Sequence, residues 1–232
     1  MFDGILLVDK EKGVTSYDVI RKLKKILPKD QKIGHSGTLD PFATGLLVIL
    51  LGKGTKLNDS LQKLKKGYEV RAEFGYETDT MDSTGEVIER CGKLPKFTSK
   101  DIEGPLALFV GPIAQIPPKY SAKRVKGERA YSLARKGIKF FLEPKKINVY
   151  SFEIKKFNWP VVTFEIVCSS GTYVRKLIAD LGRKIGVYGN SVDLRRLFVG
   201  DFKVENAFLV KSITEDNIGS KIIDLEKFTF SN

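Results

Sequence analysis

The segment GHSGTLDPFATGLLVILLGKGTK, from Gly34 to Lys56, joins a polar, glycine-rich loop to a run of six apolar residues. This run, Leu46–Leu51, lies between two glycines, a pattern that predicts a strand buried on both faces. Asp40 comes six residues before the run and is followed by proline. A residue before proline avoids the helical region of backbone space. We therefore predict that the Asp40 carboxylate is held in a tight loop at the mouth of the core.

Residue types alone leave two interpretations of this loop open. An Asp-Pro pair often forms an ordinary turn, in which the carboxylate caps its own backbone. The loop is nevertheless denser in glycine than a turn requires, and it leads into a central strand, where functional loops are commonly placed. The only histidine of the chain, His35, lies in the same loop. We take a functional loop as the working hypothesis.

The composition restricts the classes of partner and site. The 232 residues include 40 Lys and Arg against 28 Asp and Glu, which gives a formal charge of +12. Such an excess favours a polyanion partner, although a lysine-rich solvated surface has the same composition. An apolar run of six residues is too short to span a membrane, and two cysteines with one histidine make neither a disulfide framework nor a histidine-rich zinc site. We expect a cytoplasmic protein that holds no metal.

Hydrophobic periodicity predicts about nine strands and roughly five helices, with no internal repeat and no clear linker. Strands are predicted at residues 4–8, 46–51, 68–74, 145–157, 161–169 and 191–202, and GYETDTMDSTGEV indicates a hairpin. Helices are predicted from a cap at Thr15 or Ser16 to Pro28, from a cap at Thr55, over residues 98–110 and from a cap at Thr172. These elements are compatible with a mixed fold but do not specify its topology.

The segment GPIAQIPPKYSAKRVKGERAYSLARKG, residues 111–137, concentrates basic charge. It contains a single acid, Glu128, and interleaves its basic residues with Tyr120 and Tyr131. This pattern suits contact with an RNA backbone and occasional base stacking, while a solvated basic hairpin has the same composition. The basic residues of this segment and just beyond it are Lys119, Lys123, Arg124, Lys126, Arg129, Arg135, Lys136 and Lys139.

Motifs in five separated segments resemble those of the TruB family, the tRNA pseudouridine-55 synthases. In chain order they are DKEKGVTSYDV, GHSGTLDP with the following GLLV and GKGTK, KGYEV with GYETDTMDSTG, QIPPKYSAKR, and GTYVRKLIADLG. Glu11 occupies a position where the family usually has proline. The resemblance spans residues 2–203. It implies an α+β pseudouridine synthase fold, with a mixed, mostly antiparallel sheet, flanking helices and a central RNA-binding cleft.

The same resemblance implies a domain organisation. Residues 1–232 would form a single pseudouridine synthase catalytic domain, with a basic RNA-clasping insertion at residues 112–146. Family members usually carry a small RNA-binding PUA domain after the catalytic domain, and we expect this chain to lack one. The absence of this domain would affect the affinity for tRNA rather than the chemical step.

The resemblance also assigns a role to each candidate site residue. It implies that Asp40 is the catalytic nucleophile, that Tyr68 stacks on the target uracil and that Arg175 forms an ion pair with Asp40. His35 is implied to fill the space that a flipped nucleotide leaves. From the residues alone, Tyr68 also fits a tyrosine at the edge of the core, and Arg175 an ordinary surface arginine. The other expected substrate contacts are Tyr173 and Leu194 at the uracil pocket, and Lys123, Arg124 and either Arg195 or Arg196 on the RNA backbone.

The implied function is isomerisation of the T-arm uridine of tRNA by a monomer that needs no cofactor, no protein partner and no membrane. Three alternatives stay open. The first is a non-catalytic RNA binder that helps tRNA to fold, and the second is a guide-dependent synthase related to the archaeal and eukaryotic enzymes. The third is a hydrolase that uses His35 with Ser36 or Ser121, although the chain lacks a nucleophile-elbow pattern.

Overall fold

A computed structural model describes residues 1–125 and 127–225 of the chain. The strands are, in chain order, β1 (Gly4–Lys10), β2 (Ile33–Ser36), β3 (Thr44–Leu51), β4 (Lys66–Phe74), β5 (Tyr76–Thr78), β6 (Val87–Arg90), β7 (Gly111–Gln115), β8 (Arg124–Val125), β9 (Glu128–Arg129), β10 (Lys145–Asn158), β11 (Val161–Cys168), β12 (Gly189–Val199), β13 (Phe202–Lys203), β14 (Phe208–Leu209) and β15 (Ile222–Ile223). The α-helices are α1 (Ser16–Leu23), α2 (Asn58–Lys63), α3 (Ser99–Ala107), α4 (Ala130–Arg135) and α5 (Val174–Lys184).

The chain divides into two compact units. Unit 1 comprises Met1–Tyr68 and the chain from Leu194 onward, and unit 2 comprises Glu69–Asp193. Strand β4 begins in unit 1 and ends in unit 2, and strand β12 runs from unit 2 into unit 1. The single catalytic domain expected over residues 1–232 stays a prediction.

Strand β3 is the centre of unit 1 and is buried on both faces. Strands β1 and β2 pair with it antiparallel, and β12 pairs with it parallel. Because successive side chains of a strand point to opposite faces, β3 supplies two separate cores. The core that contains α1 takes Leu47, Ile49 and Leu51, and the core that contains α2 takes Leu46, Val48 and Leu50. All six side chains are at most 1% exposed, which confirms the predicted doubly buried strand.

Unit 2 is built on a largely antiparallel set of strands in the order β4, β11, β10, β7. Strand β10 pairs antiparallel with both β11 and β7. The alternating apolar residues of β11 are completely buried, as their period of two predicts. The predicted hairpin is formed by β5 and β6. Together the units confirm a mixed, mostly antiparallel α+β fold with few helices.

Helix α1 has the predicted start and an earlier end. Thr15 is the N-cap, and Thr15 and Asp18 form a reciprocal capping box. The helix ends at Leu23 rather than at Pro28. Backbone bonds from Lys25 and Ile26 reach back only three residues, so the chain after Leu23 continues as tighter turns. Proline also disfavours helical geometry in the residue before it, which explains why the apolar pattern outlasts the helix.

The predictions of helix caps at Thr55 and Thr172 are wrong. The Thr55 hydroxyl donates to the Gly52 carbonyl at 2.7 Å within a 3-10 helix, and α2 starts later without a side-chain cap. The Thr172 hydroxyl donates to the Ser169 carbonyl at 2.9 Å, and Tyr173 is the N-cap residue of α5. Both hydroxyls therefore satisfy a preceding carbonyl instead of accepting a bond from the helix, a local alternative that threonine commonly adopts.

Candidate active site

The loop that carries Asp40 lies between β2 and β3 in unit 1, and Asp40 is half-buried there. A bond from the Ala43 N–H to the Asp40 carbonyl, 3.1 Å long, closes the turn. Gly37 adopts a φ of +79°, a left-handed conformation that suits glycine. The structure thus confirms a tight loop at the start of the central strand.

The backbone on both sides of Asp40 is fixed by the segment between β1 and α1 and by the first residue of α1. The Ser16 hydroxyl accepts from the Leu39 N–H at 2.9 Å and lies 3.2 Å from the Leu39 carbonyl. On the other side, the Gly13 N–H donates to the Pro41 carbonyl at 2.8 Å. Because the residues before and after Asp40 are both held, the position of the Asp40 backbone is set by the fold.

Arg196 holds the same loop from β12. Its guanidinium donates through Nε to the Leu46 carbonyl at 2.7 Å and through Nη2 to the Gly37 carbonyl at 2.9 Å. A Cβ at Gly37 would lie 3.3 Å from Arg196 Nη1, and one at Gly45 would lie 2.3 Å from the Arg196 carbonyl oxygen. Arg196 is only 1% exposed, and the RNA backbone contact expected of it stays a prediction. It is a buried support of the Asp40 loop.

Lys10 is a second buried cation beside this loop. It is completely buried, and its ammonium donates to the carbonyls of Glu11, Val14 and Pro41 at 3.0, 2.8 and 3.4 Å. Burial lowers the pKa of Lys10 to about 8, while the negative charge of Asp40 opposes this shift. The Asp40 carboxylate therefore interacts electrostatically with Lys10, whose ammonium also donates a hydrogen bond to the carbonyl of Pro41, the residue that follows Asp40.

The other unit 1 candidates are partly or fully buried. Burial and, secondarily, the positive charge of Arg196 lower the pKa of His35, so its imidazole is neutral at pH 7. The His35 Nδ1 atom is buried and makes no hydrogen bond within the structure. Tyr68 and Leu194 are 8% and 7% exposed. The Tyr68 ring belongs to the buried face of β4, as the alternating pattern predicts.

Arg175 is buried in unit 2, at 3% exposure, so it is not an ordinary surface arginine. Its guanidinium donates to the Thr80 carbonyl at 2.8 Å and also to the Tyr120 carbonyl. Its Nε atom lies 4.0 Å from the Asp82 carboxylate. The carboxylate in turn accepts bonds from the Thr84 N–H and hydroxyl at 3.0 and 2.6 Å. The charge is thus compensated and the orientation of the guanidinium is fixed, as buried ions require.

The remaining unit 2 candidates flank this arginine or lie on the basic insertion. The Tyr173 ring centroid is 5.9 Å from the Arg175 guanidinium carbon. Lys123 is half-buried and donates to the Glu143 carbonyl at 3.3 Å, whereas Arg124 is exposed on β8. Lys126 lies outside the described residues. The insertion contains the β8–β9 hairpin and the short helix α4.

Comparison with known proteins establishes the family. Residues 24–174 match the TruB family pseudouridylate synthase (N terminal domain). This chain belongs to the TruB family. The tRNA pseudouridine synthase B of Clostridium tetani is 43% identical over 225 residues, which cover 97% of this chain and 77% of that protein. The enzyme of the same name from Aquifex aeolicus is 45% identical over 213 residues and is covered to 71%.

A solved structure supports the fold of this TruB family member. The "Crystal Structure of a Cbf5-Nop10-Gar1 Complex" matches with a TM-score of 0.70 at 28% sequence identity. The match covers 93% of this chain and 54% of that one, so the chain spans about half the length of the solved protein. The shared fold is that of a pseudouridine synthase.

Sequence reasoning about this TruB family chain missed the residues that support the candidate site. Lys10 and Asp82 lie within quoted motifs, but no role was predicted for either, because pattern analysis places charged side chains at the surface. Ser16 was predicted only as a possible helix cap. Gln115 and Tyr120 were missed because their partners are distant in sequence, although QIPPKY precedes the basic residues directly.

Residues 1–125 and 127–225 contain neither a candidate metal site nor a candidate membrane-spanning helix. No set of three or more His, Cys, Asp and Glu side chains there is arranged to hold a metal ion. None of the helices in that part of the chain combines the length and apolar composition needed to cross a bilayer.

Proposed function

We propose that this chain isomerises the T-arm uridine of tRNA, at position 55, to pseudouridine, as a stand-alone enzyme without a cofactor. The observation that carries the proposal is the 43% identity to a tRNA pseudouridine synthase B along 97% of this chain. The basic charge of the chain and the buried charged groups of both units support it. We also propose that the protein acts in the cytoplasm as a monomer.

The reaction is an isomerisation and its atoms balance within the nucleotide. The bond between the sugar anomeric carbon and N1 of uracil breaks, the base turns, and a new bond forms from the same sugar carbon to C5. The proton on C5 leaves and N1 gains one, so substrate and product have the same composition. The enzyme has to supply a carboxylate, a pocket for the detached base and protection from water.

Asp40 is proposed as the carboxylate that acts as the nucleophile. Two features of unit 1 support this role. The peptides on either side of Asp40 are hydrogen-bonded to the β1–α1 segment, and the buried cations Lys10 and Arg196 donate to carbonyls of the same loop. Cations that are already in place stabilise an anionic carboxylate, and a fixed loop presents that carboxylate to the reacting atom in one orientation.

The other proposed catalytic roles are those that the family resemblance implies. Arg175 is proposed as a further catalytic residue, and its bonds to Thr80, Tyr120 and Asp82 would preset the direction of its guanidinium. Tyr68 is proposed to stack on the uracil, a contact worth about 1–3 kcal/mol for other stacked bases. Tyr173 and Leu194 are proposed as walls of the same pocket.

The target uridine has to leave its stacked position before any chemistry, at a cost of about a few kcal/mol. We propose that His35 fills the space left behind. A neutral imidazole suits this position, because a planar uncharged ring can stack between bases. Lys123 and Arg124 are proposed to contact phosphates through the basic insertion, which would offset part of the cost of flipping.

The deciding experiment combines purified protein with an unmodified tRNA transcript and analyses the bases for pseudouridine. We expect product from the wild type and none from Asp40→Asn, because the amide cannot act as an anionic nucleophile. Asp59→Asn, an exposed residue of α2, is the matched control and should keep the wild-type rate. Absence of product from saturating wild-type protein, beside an active control synthase, would contradict the proposed function.

The same experiment separates two alternatives. A non-catalytic RNA binder would bind tRNA but form no product. A guide-dependent synthase, suggested by the solved structures of Cbf5 complexes, would need a guide RNA and partner proteins. The higher identity to the tRNA pseudouridine synthase B proteins favours activity on tRNA alone. Size-exclusion chromatography with light scattering tests the monomer.

A further inference from the structure

Gln115, the last residue of β7, makes a reciprocal pair of hydrogen bonds to one distant residue. Its side-chain oxygen accepts from the Tyr173 N–H at 2.8 Å, and its side-chain nitrogen donates to the Tyr173 carbonyl at 3.1 Å. Gln115 is only 4% exposed, so both bonds are shielded from water. A pair of this kind fixes the rotation of the bound backbone as well as its position, which a single bond does not.

The bonded residue is the one from which α5 starts. Tyr173, the N-cap residue, has φ −98° and ψ 101°, and its side chain makes no capping hydrogen bond to the described helix. Its carbonyl accepts the first helical bonds, from the Lys176 and Leu177 N–H groups at 3.1 and 3.2 Å. Gln115 therefore supplies from another strand the support that a helix start needs. The first turn that it supports also contains Arg175.

A second tie joins the same two parts of unit 2. Five residues after Gln115, the Tyr120 carbonyl accepts a bond from the Arg175 guanidinium. Between them lie Pro117 and Pro118, both buried, whose rings fix the backbone φ. The stretch Gln115–Tyr120 thus contacts Tyr173 through one end and Arg175 through the other.

We infer that Gln115 is a positioning residue for the reaction proposed above: its amide holds the start of α5 in the orientation in which Tyr173 and Arg175 meet the flipped uridine. The inference rests on the proposed function. Gln115 itself contacts backbone atoms and does not take part in bond making or breaking. Its loss should slow the chemical step, because small misplacements of catalytic groups cost large factors in rate.

The chain contains a matched control for a purely structural role. Gln31 in unit 1 is 6% exposed and makes the same reciprocal pair, with the Phe2 N–H at 2.7 Å and the Phe2 carbonyl at 2.8 Å. Methionine has nearly the same length as glutamine and makes neither bond. Gln115→Met and Gln31→Met therefore lose the same kind of interaction, but only the first loses it beside candidate site residues.

The test measures the single-turnover rate of pseudouridine formation, the dissociation constant for unmodified tRNA transcript and the thermal midpoint for each variant. We expect Gln115→Met to lower the rate at least about 10-fold. We expect its dissociation constant to change less than about 3-fold, because the phosphate contacts that dominate affinity remain. Gln31→Met should lose a similar amount of thermal stability and keep the wild-type rate.

A further variant covers the case in which Gln115→Met does not fold. Gln115→Glu keeps an acceptor for the Tyr173 N–H and loses the donor to its carbonyl, so its rate should lie below the wild-type rate at unchanged tRNA affinity. The inference is overturned if both methionine variants slow the reaction equally, if the Gln115 variants keep the wild-type rate, or if only tRNA binding changes. A wild type that forms no product would instead refute the proposed function.

Discussion

Lys10 and Arg196 carry their charges into the interior of unit 1, at 0% and 1% exposure. Both donate to backbone carbonyls, which compensate part of the cost of burying an ion. The sequence could predict Asp40, because a proline and several glycines surround it. It could not predict these two supports, because a lysine at the end of a strand and one arginine of a pair fit a solvated surface equally well.

The titration of Lys10 gives a prediction for stability. Burial lowers its pKa from 10.5 to about 8, so between these pH values the unfolded chain binds more protons than the folded protein. The Lys10 contribution to the free energy of unfolding therefore rises with pH across this window, by about 1.4 kcal/mol for each unit of pKa difference. Urea unfolding at pH 7.5, 8.5 and 9.5 should show the wild type gaining stability relative to Lys10→Met.

Lys25→Met, at an exposed position after α1, is the control for this titration and should show no such pH-dependent difference. Groups that titrate in both proteins cancel in the comparison. A constant gap between wild type and Lys10→Met from pH 7.5 to 9.5 would show that the ammonium is not buried as the structure describes.

At the scale of elements, the contact between β3 and β12 depends on a residue without a side chain. Gly45 has a φ of +100°, and a Cβ there would lie 2.3 Å from the Arg196 carbonyl oxygen and 2.7 Å from its nitrogen. We expect Gly45→Ala to lower the free energy of unfolding by about 2 kcal/mol or more, because backbone atoms of two paired strands have to separate. Chemical denaturation measures the change.

Gly92→Ala is the matched control, because no atom lies within 4 Å of a Cβ at that exposed position. Its stability should stay within about 0.5 kcal/mol of the wild type. If Gly45→Ala were equally harmless, the close approach of the two strands would not exist in solution.

The sequence predicted some elements better than others, for a physical reason. Six consecutive apolar residues in β3 have few alternatives to a buried strand, and β11 alternates without interruption. Thr55 and Thr172 were misjudged because a hydroxyl can accept a bond from a helix start or donate to an earlier carbonyl, and tertiary contacts decide between the two. Two-residue strands such as β8 and β13 are too short to leave a detectable period.

For the whole molecule, the formal charge of +12 gives a prediction about salt. The affinity for tRNA should fall linearly on a plot of the logarithm of the association constant against that of the salt concentration. If Lys123 and Arg124 each contact a phosphate, Lys123→Gln and Arg124→Gln should each reduce the slope by about 1. Filter binding between 50 and 300 mM KCl measures the slope, and over this range the Debye length falls to about two-fifths of its starting value.

Lys25→Gln tests whether charge at any exposed site has the same effect. Lys25 is exposed just after α1 and lies outside the basic insertion, so this variant should keep the wild-type slope. An equal reduction for Lys25→Gln and Arg124→Gln would show that the insertion has no special role and that the net charge alone attracts RNA.

The order of strands in each unit could not be predicted from local patterns, and the resemblance to a family implied only a mixed, mostly antiparallel sheet. Local periodicity identifies a strand, but the partner of that strand depends on packing over long sequence distances. The parallel pairing of β12 with β3 joins residues about 150 positions apart, such as Arg196 and Gly45. A short sequence segment of the kind used to detect periodicity therefore never contains both partners.

That pairing also makes the two neighbouring arginines of β12 unable to exchange places. Arg195 forms a two-pronged ion pair with Asp9 at 3.0 and 2.7 Å, while Arg196 points to the opposite side of the strand and holds Gly37. Inserting or deleting one residue within β12 would swap the two sides. We therefore expect natural variants of this chain to differ in the length of the turns that flank β12, but not to carry single-residue insertions or deletions inside the strand.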